Sequence, residues 1–407
     1  MGNHLGEFMS SINKSSKVKI GFFVSTAIVV SSAFLIAACE TGKKVEAGKE
    51  SLSWPAKMQA MATDLERLMP FVFSRQEFSD AKNKRQIQRL IASYSGHAHV
   101  IPEHVGEALM GEDPLVGYSI DRLREKTDRA VSAFNEGHIE FSRGLLKESM
   151  GMCFSCHTTT QLGPQENFGM GRLEGQFRIF PSERAEYYVA TRQYDLALET
   201  LESVLQRPGS FYENAHEQLS AMRKYLSIVT RVKGDPARAA RTVRGFLDRD
   251  KVPHFLATDG QAWLRSLDLW AREGEITRNH IARATTIIEQ GRRAQSAGGF
   301  QAGYVDFLRA SHILHEALRA TDSPAQLARI YKMLGESYDI LVDLGVWDLP
   351  EVYFEACIRK QPRTNIARDC YRNFERVIVV GFSGSAGIFI PADERRRLTE
   401  LKELAGL

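Results

Sequence analysis

Cysteine is scarce in this 407-residue chain: Cys39, Cys153, Cys156, Cys357 and Cys370 are all there is. So few exclude a disulfide-dense miniature scaffold, and the odd number leaves one thiol to account for. A surplus of one charge is lacking too. Fifty-three Lys and Arg against 50 Asp and Glu leave a formal net charge of +3, and no basic block stands out. Without that electrostatic footprint, nucleic acid is argued against as a partner. Strand-type alternation is almost absent from Trp54 onward, which leaves helices to build the core. The length suffices for two domains.

What is present begins with Lys14, Lys17 and Lys19 ahead of an apolar run, Ile20 to Ile36, the pattern of an export signal. The run ends in Ile36-Ala37-Ala38-Cys39, and small residues directly before a cysteine resemble the bacterial lipoprotein signal. That resemblance implies a signal peptide over 1–38, lipidation at Cys39 and a Lys-, Glu- and Gly-rich tether over 39–53. A transmembrane anchor is the competing reading, since the run is near the lower length limit of a span. Acyl chains, at about 0.8 kcal/mol per CH2, would hold the protein on a membrane without any spanning helix. Either reading puts the remainder on the periplasmic side of a bacterial membrane; Glu40, in place of an Asp after Cys39, favours the outer one.

The rest reads as all-α. Met58, Met61, Leu65, Leu68 and Val72 form one apolar stripe, and Ile87, Leu90, Ile91 and Tyr94 a second. Ile120, Leu123, Thr127, Ala130 and Phe134 form a third, and Leu146, Met150, Cys153 and His157 a fourth. Pro102, Gly111 and Pro114 mark Ser95 to Gly117 as a long connection. Four such helices suit a four-helix bundle over 54–160, followed by a glycine-rich linker over 161–180. From 181 to 407 helix pairs recur. Tyr188, Ala197, Leu201, Leu205 and Pro208, then Tyr331, Leu334-Gly335, Tyr338, Ala356 and Pro362, look like tetratricopeptide units of roughly 34 residues, which implies an α-solenoid. Generic helical hairpins share much of this spacing.

Cys357 and Cys370 flank the turn Lys360-Gln361-Pro362-Arg363, the placement that a disulfide across a helical hairpin requires; two separate buried thiols are the alternative. Gly381 to Gly387 is glycine-rich but lacks the Gly-Lys-Ser/Thr ending of a nucleotide loop, so it reads as a turn before the last helix.

Cys153-Phe154-Ser155-Cys156-His157 carries the most specific chemistry. In Cys-x-x-Cys-His the two thiols form thioethers with haem vinyl groups and the following imidazole ligates iron. On a helix one turn holds all three. A structural zinc site and a thioredoxin-like dithiol compete, but zinc needs a further pair of spaced ligands and the dithiol expects a βαβ setting.

Four helices ending in this motif resemble the cytochrome c′ family over about Trp54 to Thr160. Arg67-Leu68-Met69-Pro70 is similar to the Arg-x-x-Pro that closes the first helix in many members. The resemblance implies one covalent haem c on Cys153 and Cys156, His157 as proximal iron ligand and Met58 as distal ligand, as in the low-spin branch. A Met on an apolar stripe is also ordinary core filling, and Met61, one turn on, is the next candidate. His97, His99 and His104 form a further group in the long connection, and Met170 lies in the glycine-rich segment; Met150 and Met152 are too near His157 to reach the opposite face of iron. Thr158-Thr159-Thr160 replaces the basic residues common after the motif, which leaves the propionate contacts open.

One-electron transfer is the function these readings imply, with the helical repeats docking a redox partner protein. No substrate is transformed, so an enzyme is not expected, and a peroxidase only if His97 or His99 served as a distal base. The alternatives are a five-coordinate haem binding nitric oxide or carbon monoxide, and an interaction protein with a structural haem. Bundles of the resembled family often pair as homodimers through their first two helices.

Overall fold

Proline stands in the first turn of several helices, where its missing N–H costs no hydrogen bond, as at Pro114, Pro181, Pro236, Pro324 and Pro350. Side-chain caps complete several starts. Asp113 accepts from the Leu115 N–H, Asp235 from Arg238 and Thr364 from Ala367. The computed structural model describes residues 54–101, 112–159, 179–207, 214–249, 252–273, 279–297, 299, 301–341, 347–385 and 387–407. The export signal and tether with Cys39, His104, and the segment holding Met170 lie outside the described residues. Leu52–Leu407 is one compact unit.

The described residues are all-α apart from one two-residue strand pair. The first helices are α1 (Trp54–Val72), α2 (Arg75–Ser79), α3 (Lys84–Val100), α4 (Pro114–Asn135) and α5 (Ile139–Thr159). Helix α1 packs on α3, α3 on α4, α4 on α5, and α5 returns to α1. Leu68, Ile87, Tyr94, Phe134 and Met150 lie in the core these helices share. Gly137, at φ 87°, makes the tight reversal between α4 and α5, with the His138 N–H reaching back to the Ala133 carbonyl at 2.8 Å.

The later helices are α6 (Pro181–Ala190), α7 (Tyr194–Leu205), α8 (Ala215–Ile228), α9 (Pro236–Leu247), α10 (His254–Ala271), α11 (His280–Ser296), α12 (Tyr304–Leu318), α13 (Pro324–Ile340), α14 (Leu349–Lys360), α15 (Asn365–Gly381) and α16 (Ala392–Ala405). A π-helical turn, Val229–Lys233, extends α8 and ends at Gly234 in the left-handed region. Pairs α6/α7, α9/α10, α11/α12, α13/α14 and α15/α16 pack as hairpins. Glycine permits close approach in two pairs: a Cβ on Gly303 would meet the Gly291 carbonyl at 2.5 Å, and one on Gly335 the Phe354 ring at 2.6 Å. Cys357 on α14 and Cys370 on α15 form a disulfide. Ser383–Gly384 (β1) and Gly387–Ile388 (β2) make a small antiparallel hairpin ahead of α16, so the glycine-rich stretch is indeed a turn.

The array turns back on the first helices, with α14 against α4 and α5 against the π-helical turn. Asp113 binds this return, accepting from His315 Nδ1 at 2.6 Å and from the Tyr353 hydroxyl at 2.8 Å. Glu112 pairs with Lys360 at 2.6 Å, and Asp348 accepts from Tyr118 and Arg122.

The expected connection from Ser95 to Gly117 is shorter than its glycines and prolines imply. Helix α3 continues through Gly96, His97 and His99 to Val100, and α4 already begins at Pro114. Gly96 costs such a helix about 1 kcal/mol, less than burial of Tyr94, Ser95, Ala98 and Ile101 returns, while Pro114 starts a helix rather than ending one.

Candidate functional site

The C-terminal end of α5, which carries the whole Cys-x-x-Cys-His motif, packs against α6. Cys153 and Cys156 are half-buried and not joined to each other, three residues apart on one helix face. Cys153 lies beside the Ser149 carbonyl, at 3.8 Å, and beneath Tyr94, whose hydroxyl is 3.3 Å from Ser149 Oγ. Burial first, and the neighbouring Cys156 thiol second, push the Cys153 thiol up to about 12. A thiol held protonated at neutral pH is the reverse of what a thioredoxin-like dithiol needs.

His157 is 8% exposed. Its Nδ1 lies 3.1 Å from the Val189 carbonyl at the end of α6, and its own carbonyl accepts from the Tyr194 hydroxyl at 3.0 Å. Burial, and then the Arg192 guanidinium, hold the ring neutral down to about 3, against the bonds to Val189 and Ala190. A carbonyl only accepts, so the single proton of the neutral ring is on Nδ1. Nε2 therefore keeps its lone pair, the tautomer that a metal-ligating histidine needs, oriented by the backbone it donates to. Two thiols and this imidazole on one helix fit covalent haem attachment. No cluster of three or more His, Cys, Asp or Glu side chains able to hold a metal ion occurs among the described residues, so none adds donors for a zinc on the two thiols.

A cavity of about 40 Å³ opens beside His157, between α5, the α6–α7 turn, the π-helical turn and α12. Arg192, Tyr194, Arg231, His312, Glu316 and Arg319 line it with His157. Burial depresses His312 to about 4, with Glu316 opposing and Arg231 adding to the effect.

The other expected residues are distributed as follows. Met58 is half-buried against the core on α1, and Met61 is fully buried there; neither lines the cavity beside His157. Met150 and Met152 are core. His97 and His99 are on α3 rather than in a loop, and each is bound to a carboxylate: His97 Nδ1 to Asp64 at 2.7 Å, His99 Nε2 to Asp128 at 2.8 Å. No helix among the described residues is long and apolar enough to cross a membrane.

Sequence reasoning missed the surroundings of His157. Val189 and Arg192 act through a helix end and a turn in which Arg192 takes φ 58°, and neither carries a sequence signature. Arg231 did leave a signal, as the one charge within Tyr225-Leu226-Ser227-Ile228-Val229-Thr230-Arg231-Val232. No protein-family model, curated protein or solved structure matches the chain.

Proposed function

We propose that this protein is an exported, lipid-anchored c-type cytochrome that transfers single electrons, with one haem c on Cys153 and Cys156 and His157 as its proximal ligand. In this reading 54–160 is a four-helix bundle similar to cytochrome c′, and 181–407 is a tetratricopeptide-like array that docks the protein partner. Cys39 carries the lipid.

One observation carries it: a buried His157, its Nδ1 fixed against the Val189 carbonyl, follows two thiols on the same helix, which leaves Nε2 as the ring atom to ligate iron. When bound, haem supplies reversible one-electron chemistry at iron. The chain supplies the rest. Cys153 and Cys156 give the thioether sulfurs, the Val189 carbonyl raises the basicity of His157, and the helices around Tyr94 and Met150 keep water away. Met58, with Met61 next, is the distal ligand candidate, because thioether sulfur opposite imidazole favours low-spin iron at raised potential.

The test is the optical spectrum of the ferrous protein, with and without carbon monoxide, for wild type and Met58→Ala. Sharp low-spin bands indifferent to carbon monoxide, lost in Met58→Ala, are expected. A high-spin wild type that binds carbon monoxide would replace electron transfer with gas binding. Absence of any haem spectrum from protein matured in an export-competent host would end both readings.

A further inference from the structure

Arg231 is a buried cation that forms no ion pair with a carboxylate among the described residues. It sits in the π-helical turn Val229–Lys233 and is 5% exposed. A terminal nitrogen donates to Ser311 Oγ at 2.7 Å, and its guanidinium lies 5.4 Å over the Tyr338 ring. Its Nε has no hydrogen-bond partner, and neither of these contacts is with a carboxylate. Burying a guanidinium in that state is costly unless an anion arrives to complete it. π-helical turns of this kind recur where a fold serves a site rather than its own regularity.

The second observation is the cavity that Arg231 lines. Arg192 and Arg319 line it as well, from the α6–α7 turn and the end of α12, against Glu316 as its one carboxylate. Three guanidiniums and one carboxylate thus line a cavity of about 40 Å³. Planar donor forks of this kind match carboxylate and phosphate oxygens. We propose that this cavity is an oxyanion site, built for a carboxylate or phosphate group held by Arg231, Arg192 and Arg319 beside His157. The oxyanion has two sources. One is a haem propionate, which rests on the cytochrome reading above; the other is a small dicarboxylate or phosphate from solution, which does not.

The experiment titrates malonate and inorganic phosphate, at constant ionic strength, into the full chain as purified, by calorimetry and thermal melting. Binding by wild type that weakens at least about tenfold in Arg231→Met assigns the site to a solute. If the purified protein is silent but the full-length Cys153→Ala/Cys156→Ala protein binds, and Arg231→Met abolishes that binding, the propionate is the resident oxyanion. Arg319 is exposed, so Arg319→Ala leaves the fold intact and should weaken binding several-fold; it decides the matter if Arg231→Met does not fold. Silence in both the purified and the haem-free protein, or equal binding by the arginine variants, overturns the proposal. A chain purified without haem defeats the cytochrome reading and still leaves this titration decisive.

Discussion

At the scale of single residues, burial decides charge. Asp306 on α12 is 6% exposed and accepts from Ser266 Oγ at 2.8 Å, yet burial pushes its carboxyl up to about 6, with Arg309 opposing and Glu273 adding a little. A folded value above the ordinary 3.8 means that the native state prefers the protonated acid. The penalty is absent below about pH 4, grows between about 4 and 6 and is complete above 6. Asp306→Asn should therefore stabilise the protein by about 1–3 kcal/mol at pH 8 and by almost nothing at pH 4, read from denaturant melts at the two pH values. The site shows the same division. Cys153, Cys156 and His157 were legible because their chemistry fixes their spacing along one helix. Val189, Arg192 and Arg231 come together from three separate elements, a juxtaposition that no spacing encodes.

At the scale of elements, the α14/α15 hairpin holds the disulfide that its flanking cysteines implied. Its sequence separation of 13 closes a short loop, so reduction should cost about 2–4 kcal/mol, chiefly by freeing the unfolded chain. Thermal melting with and without reductant checks this, and the Cys357→Ser/Cys370→Ser variant should melt like the reduced protein and ignore reductant. Helix α3 teaches the converse. Its end, Ser95 to Val100, read as part of a connection because Pro102, Gly111 and Pro114 follow, but Ile91, Tyr94, Ala98 and Ile101 share one buried face that carries the helix through Gly96. Local propensity of about 1 kcal/mol yields to tertiary burial there.

At the scale of the whole molecule, the return of α12 and α14 onto the start of α4 adds a second junction to the one that α5 makes with α6. Asp113 is its centre: it caps α4 and receives both His315 and Tyr353. Burial alone would raise its carboxyl, but His315 and the bonds from His315, Tyr353 and the Leu115 N–H outweigh that and hold it below the ordinary value. A lowered value stabilises the native state above about pH 4 and loses that contribution as acid protonates the group. Asp113→Ala should cost about 2–5 kcal/mol at pH 7, from the lost cap and two unpaired buried partners, and progressively less as the pH falls below about 4. Because this contact ties distant parts of the chain together, calorimetry should record one transition for wild type where a solenoid touching only its neighbours would not require it; a second transition appearing in Asp113→Ala would locate the tie.

The sequence by itself determined the helical class, the disulfide pair and the Cys-x-x-Cys-His motif, because each is written within a few turns of chain: apolar period and fixed spacing. Tertiary structure alone decided which tautomer His157 holds, that three arginines meet beside it, and that the array folds back on Asp113. Those depend on burial and on contacts between residues far apart in the chain, 240 positions between Asp113 and Tyr353, where desolvation acts and where a local pattern carries no information.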